Sequence, residues 1–234
     1  MMANLVNFRI DGKEIFAEEG RYLLAAAEEN GVYIPSLCNY RGTKPKGSCR
    51  MCTVRVNGNL TTACTARVSD GLEVENMTAE LENLRRGIVE LMLTEGNHFC
   101  PSCEKSGFCE LQALAYRYRI TAPGFPYLYP DRAVESGNPK LMKDQNRCIL
   151  CKRCIRAIRD ENGKSLFAFR NRGYKVVISC DTELARGISD ELAQKAMDIC
   201  PVGALLKKRK GFRVPIGRRP FDKQEIGSAA GGAV

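Results

Sequence analysis

Cysteine stands out in this sequence by number and by spacing: 12 occur in 234 residues, and 11 of them fall into runs with the gaps of metal ligation. The first run is Cys38-x10-Cys49-x2-Cys52-x11-Cys64, the second Cys100-x2-Cys103-x5-Cys109, and the third Cys148-x2-Cys151-x2-Cys154 with a distant Cys200-Pro201. Thiolates are soft anionic donors that suit zinc and iron–sulfur clusters. The N-terminus "MMANLVNFRIDGKEIF" has neither the apolar region nor the small-residue cleavage site of a secretory signal, so the chain is expected to be cytoplasmic. In a reducing compartment, clustered cysteines point to metal or catalysis and not to disulfides.

The first run can bind a tetrahedral zinc or a 2Fe–2S cluster. Zinc sites commonly show two closely spaced cysteine pairs, whereas only Cys49 and Cys52 form one here. The loop "KPKGSCRMC" favours a cluster, because Gly42 and Gly47 let backbone N–H groups turn toward the sulfides. In the second run three cysteines leave one corner of a cubane open, and the only histidine, His98, lies two positions before Cys100. Three readings stand side by side: a 4Fe–4S cluster completed by His98, a Cys3His zinc site, and a histidine that merely ends a helix. The third run is close to specific for a 4Fe–4S cluster. A two-cluster ferredoxin would carry a further cysteine at position 158, where this chain has Ile158, so the fourth ligand must come from afar; "ICPVGAL" around Cys200 fits. Arg147, Lys152, Arg153, Arg156 and Arg159 surround this run, either offsetting cluster charge or forming a solvated face. Cys180 remains over and reads as a small buried hydrophobe.

Other chemistries lack their residues. A single histidine leaves no Ser/His/Asp machinery, and neither a GxGxxG after a strand nor a P-loop occurs. What remains is a row of one-electron carriers. The net charge is +9, but seven basic residues and no acid lie between Leu205 and Phe221, so the rest of the chain is close to neutral at about +2. Such local basicity suggests a segment that docks on a partner subunit, with nucleic-acid binding by a zinc-stabilised module as the rival. No apolar run approaches the roughly 18 residues of a membrane span.

The elements that must position these residues can be read from periodicity and turn signals. "NLVNFRIDGKEIFA" and "CTVRVNGNLTTAC" are hairpins around Asp11-Gly12 and Asn57-Gly58. "RYLLAAAEENG" is a helix stopped by Gly31, and "GLEVE" a last strand; together they fit a β-grasp domain over residues 1–77. Residues 78–95 read as a helix capped by Thr78, with an apolar face of Leu81, Leu84, Ile88, Leu91 and Met92. A helix follows Cys109, so residues 78–120 form a helical segment carrying the second run. Residues 121–140 are a Pro-rich connector whose aromatics, with Tyr118 before them, are expected to pack. Residues 141–206 form a third unit, with strands near "SLFAFRN" and "YKVVIS" and a helix near "DELAQKAMDI". A basic tail spans 207–234, and its end, "GSAAGGAV", is expected to be disordered. The fold class is α+β.

These motifs, in this order, resemble the iron–sulfur subunit of respiratory complex I in its N-terminal part and the accessory domains of iron-only hydrogenases. Nearly the whole chain is similar to the small diaphorase subunits of soluble NAD-reducing nickel–iron hydrogenases. The resemblance implies a 2Fe–2S ferredoxin domain, a His/Cys-ligated 4Fe–4S segment and a ferredoxin-like 4Fe–4S domain. By it, Cys38, Cys49, Cys52 and Cys64 hold one 2Fe–2S cluster. His98, Cys100, Cys103 and Cys109 hold one 4Fe–4S cluster, and Cys148, Cys151, Cys154 and Cys200 a second. The implied role is that of an oxidoreductase subunit with no substrate-converting site of its own. It would pass electrons between the hydrogenase small and large subunits and a flavin/NAD-binding diaphorase subunit that holds FMN and NAD. An NAD-linked formate dehydrogenase or complex I assembly is the alternative. The common family pattern is His-x3-Cys; here that earlier position is Gly96 and the histidine stands at His-x1-Cys, a shorter form that the resemblance implies for the hydrogenase branch.

Overall fold

The computed structural model describes residues 4–209 and 211–228. They divide into two compact units, one of residues 4–39, 44–88 and 225–228, the other of residues 40–43 and 89–224 apart from 210.

In the first unit, β1 (Leu5–Ile10) and β2 (Lys13–Glu18) join through Asp11 and Gly12, whose φ values of 50° and 78° are the two left-handed positions of a type I′ turn. Val6, Phe8 and Ile10 alternate inward. Helix α1 (Leu23–Glu29) buries Leu23, Leu24, Ala26 and Ala27 and stops at Asn30 and Gly31. Strands β3 (Thr53–Val56) and β4 (Asn59–Thr62) pair around Asn57-Gly58. Strand β5 (Glu73–Glu75) lies parallel to β1 and antiparallel to β3, giving a mixed sheet of order β2-β1-β5-β3-β4. One helix on such a sheet is the β-grasp arrangement read from the sequence. Cys52 and Cys64 belong to the same buried cluster as Phe8, Ile15, Leu23 and Val54, so the first ligand run is anchored in the core.

Helix α2 (Ala79–Glu95) begins as expected, with Leu81 N–H donating to Thr78 Oγ1 at 3.3 Å. Its buried stripe differs from the apolar face expected. Leu81 is buried, but Leu91 is 45% exposed, and Arg85 is fully buried. Arg85 donates to Asn76 O at 2.9 Å, Asn76 Oδ1 at 2.7 Å and Thr53 O at 2.8 Å, and pairs with Glu82 at 2.9 Å. Four acceptors let a guanidinium take a place that periodicity assigns to apolar side chains.

The second unit contains α3 (Glu110–Arg117), a sheet of β6 (Val134–Glu135), β7 (Leu141–Asp144) and a later strand, and helix α4 (Arg153–Ala157). The hairpin of β8 (Phe167–Arg170) and β9 (Val177–Cys180) follows, then α5 (Asp190–Ile199) and β10 (Leu205–Lys207). Ser189 caps α5, accepting from Leu192 N–H at 3.1 Å. The sheet order is β10-β7-β6. The register Leu205↔Lys143 places the end of α5, and Cys200 with it, beside the chain that leaves β7 toward Cys148.

The connector departs from expectation. Of its region's aromatics only Tyr118 is buried; Phe125, Tyr127 and Tyr129 are exposed, the last two meeting edge to face at 4.8 Å. A short helix, α6 (Pro220–Lys223), lies in the basic tail, and the stretch expected to be disordered falls mostly outside the described residues.

Candidate metal centres

In the first run Cys38, Cys49, Cys52 and Cys64 are all buried. Cys52 precedes β3 and Cys64 follows β4, and Ala63 N–H donates to Cys52 O at 2.9 Å across the open end of that hairpin. The loop before Cys49 turns through Gly42 and Gly47 at φ 75° and 60°. Hydrogen bonds from Cys49 and Cys64 push the Cys38 thiol down, and one from Cys64 pushes Cys52 down. Cys49 and Cys64, as the donors, are pushed up. Four thiols this close share protons because they cannot all ionise without a cation among them.

The second run starts where α2 ends. Burial pushes the His98 imidazole down to about 4, so it is neutral at ordinary pH. One ring nitrogen faces the Met92 carbonyl and must carry the proton, which leaves a lone pair on Nε2. Nε2 is shut off from solvent and has no hydrogen-bond partner. A neutral imidazole with a buried, unused lone pair fits a metal ligand. The ring folds back over Gly96, where an added Cβ would overlap Nε2 and lie 2.7 Å from Cδ2. Burial pushes Cys100 up and Cys109 up to about 12. Cys109 caps α3, its thiol accepting from Gln112 N–H at 3.4 Å. Arg147 Nη1 donates to Cys103 Sγ at 3.3 Å.

In the third run, Leu150 and Lys152 take left-handed φ values of 53° and 67°, which wrap the chain between Cys148, Cys151 and Cys154. Cys200 closes α5 at its C-terminal end. Burial pushes Cys148 up, Cys151 up to about 12 and Cys154 well up. These thiols are expected to ionise only when a cation takes the proton's place. Among the described residues, no three His, Cys, Asp or Glu side chains are arranged to hold a single ion.

The second and third runs interlock. Glu110 N–H donates to Pro201 O at 2.9 Å. Arg153, nearly buried, grips both Glu110 oxygens at 2.5 and 2.7 Å. Lys105 Nζ donates to Met197 O at 2.7 Å and Asp198 O at 3.2 Å, satisfying the end of α5. A Cβ on Gly203 would overlap Cys103 Sγ, so only glycine lets the turn after Cys200 pass there. No local sequence signal reports which of these residues pair with each other.

Both readings of the basic residues around the third run hold in part. Arg147 and Arg153 are committed to the sites, while Arg159 points outward to Gly163 O. The basic tail was expected to serve a partner, yet much of it is satisfied within the chain. Arg209 pairs with Glu104 at 3.0 Å and Arg213 with Asp198 at 3.4 Å. Arg219 donates to Ser106 O at 3.1 Å, and Phe221 N–H to Gly107 O at 3.1 Å. The tail is therefore a strap over the loop between Cys103 and Cys109. Cys180 is half-buried, not fully buried, and lines a cavity with Glu135, Lys143 and Arg170.

The chain matches the 2Fe-2S iron-sulfur cluster binding domain over residues 3–79. It matches the NADH-ubiquinone oxidoreductase-G iron-sulfur binding region over residues 85–123 and the ferredoxin-like domain of NADH-quinone oxidoreductase subunit 3 over residues 138–206. It is 46% identical over 226 residues to the NAD-reducing hydrogenase HoxS subunit gamma of Cupriavidus necator, covering 96% of this chain and 97% of that protein. The NADH-ubiquinone oxidoreductase 78 kDa subunit of Candida albicans is 34% identical over 93% of this chain, which spans only 30% of that protein. Among solved structures, a chain of the NAD+-reducing NiFe-hydrogenase in the H2-reduced state superposes with a TM-score of 0.87 at 38% identity, covering 97% of each chain.

Proposed function

The chain belongs to the family of NAD-reducing hydrogenase gamma subunits, and on that premise we propose that it is the electron-relay subunit of such an enzyme. It would carry electrons between a nickel–iron hydrogenase module and a diaphorase subunit that binds FMN and NAD, in the cytoplasm. Cys38, Cys49, Cys52 and Cys64 are assigned one 2Fe–2S cluster. His98, Cys100, Cys103 and Cys109 are assigned a 4Fe–4S cluster, and Cys148, Cys151, Cys154 and Cys200 another. When bound, these clusters supply one-electron carriers. The protein's own residues would hold them and, within the second unit, fix the separation of the two 4Fe–4S sites. In the described residues no helix is long and apolar enough to cross a membrane.

The observation that carries this reading is the hydrogen bond of Glu110 to Pro201, which ties the residue after Cys109 to the residue after Cys200. Two ligand sets so joined keep a constant spacing, which is what a relay between neighbouring carriers needs. His98 supplies a neutral ligand where a thiolate would add charge, making its centre the easier to reduce. Electrons would enter through the third run, pass to the His98 centre and leave toward the flavin, or run the other way when NADH is in excess.

Anaerobic purification of the assembled complex tests the proposal. The expected result is a brown protein with about ten irons on this chain, copurifying with nickel and FMN. Copurification with molybdenum or quinone activity instead of nickel would move the chain to another complex. A colourless protein with about three zincs would end the iron–sulfur reading.

A further inference from the structure

Arg147 stands where the second and third ligand runs meet. It immediately precedes Cys148 in the chain, yet its Nη1 donates to Cys103 Sγ at 3.3 Å. Its Cδ lies 3.6 Å from the position of a Cβ on Gly203, in the turn between Cys200 and β10. Its charge also acts on His98 and on Cys100. The guanidinium thus contacts one ligand of the second centre, Cys103, and its charge is felt at two more. Its carboxylate neighbour is Asp144, 3.0 Å from Nε, and that carboxylate also accepts from Asn146 N–H at 2.9 Å.

The backbone around Arg147 is held from several sides. Asn97 N–H donates to Asn146 O at 2.8 Å, joining this loop to the one that carries His98. The Asn146 side chain accepts from Arg132 N–H at 2.8 Å and donates to Arg132 O at 2.7 Å. Other cations nearby are directed elsewhere: Lys105 to the end of α5, Arg153 to Glu110 and Lys143 to Gln145. Arg147 directs its donor at a ligand sulfur.

We propose that Arg147 is a positioning residue that sets the reduction potential of the His98-containing centre. The proposal rests on the assignment of His98, Cys100, Cys103 and Cys109 to a 4Fe–4S cluster. The step it governs is the arrival of one electron from the reduced neighbouring iron–sulfur centre. No bond forms or breaks, and no proton moves, because a guanidinium keeps its proton throughout. Arg147 therefore answers the added negative charge electrostatically, in surroundings of low dielectric where such a contact is strong. A cation and a hydrogen bond to sulfur both favour the reduced state. His98, as a neutral ligand, acts in the same direction, so both residues favour the reduced state of this centre.

The test is a redox titration followed by electron paramagnetic resonance on the assembled complex, with iron analysis, for wild type, Arg147→Met and Arg147→Lys. Iron is expected to stay at the wild-type level. At a poise where half of the wild-type centre is reduced, Arg147→Met should lower the ratio of reduced to oxidised centre about tenfold, the scale of one lost hydrogen bond to a charged group. Arg147→Lys keeps the charge without the fork and should fall less. An unshifted midpoint in Arg147→Met with iron intact overturns the proposal. If Arg147→Met loses iron, Arg147→Lys decides: a lowered midpoint supports the proposal and an unchanged one overturns it. Failure of the underlying assignment looks different, since the wild type itself would then lack the signal of a His-ligated cluster.

Discussion

The backbone N–H of Glu110 donates to the carbonyl of Pro201 at 2.9 Å, and each of these residues directly follows a candidate ligand, Cys109 and Cys200. The Glu110 carboxylate is held in turn by Arg153, which lies between Cys151 and Cys154. One residue therefore touches both ligand sets of the second unit, through its backbone and its side chain.

Glu110→Ala should accordingly cost stability. Arg153 is 6% exposed and would keep a charge without its partner, whereas Glu110 itself is 24% exposed. Breaking a buried pair from one side costs roughly 3–5 kcal/mol, and the partial exposure of Glu110 argues for the low end, about 3 kcal/mol. Urea denaturation of the variant complex measures it. A loss below about 1 kcal/mol, the scale of a surface pair, would show that the contact is ordinary.

Gly96→Ala should displace the His98 ring. The backbone at residue 96 is not left-handed, so the effect comes from the added methyl group, which overlaps Nε2 and Cδ2 of His98 and, less closely, meets Asn146 O at 3.0 Å. The expected outcome is an altered paramagnetic resonance spectrum, with loss of about four irons if the site does not survive. His98→Ala should give the same spectrum, and the double variant should add nothing, because both changes remove one contact. A wild-type spectrum for Gly96→Ala would show that His98 is a bystander.

These relationships show how much the sequence carries and where it stops. The Asp11-Gly12 and Asn57-Gly58 turns and the Thr78 cap are local patterns, and each appears at its expected place. Arg85 replaces Leu91 in the buried stripe of α2 because its acceptors, Thr53 and Asn76, lie 32 and 9 residues away. Strands β6, β7 and β10 are two to four residues long, too short for a period to declare itself. Glu110, Arg147 and Gly203 matter through partners 43 to 100 residues distant in sequence, and no spacing rule reports those.

Arg219→Ala should loosen the strap. Arg219 joins Ser106 O and Asp222, and it fills the space that a Cβ on Gly107 would need. The loop from Cys103 to Cys109 then loses a fixed wall, while the other two ligand runs are untouched. Iron analysis after incubation with a chelator should show about four irons lost faster than in wild type. If instead the variant keeps its iron but no longer assembles with its partner subunits, the tail serves docking after all.

Cys180 should be a slow thiol. Burial, with Glu135 and Asp181 nearby, pushes it up to about 11, so near pH 8 only about a thousandth is thiolate. Alkylation of Cys180 in the intact complex, followed by mass spectrometry, should be far slower than that of free cysteine at pH 8 and should rise as pH approaches 11. Equal rates at pH 8 would contradict this.

The strap has a consequence for biogenesis. Synthesis runs from N- to C-terminus, so the cysteines of the second run emerge from the ribosome more than a hundred residues before Arg219, and Cys200 emerges between them. Pro201 also emerges before the strap, so the loop around Cys103 and Cys109 can gain its partner at Pro201 first and its cover from Arg219 and Phe221 last. Chain order thus makes the wall over that loop the last of its contacts to be synthesised.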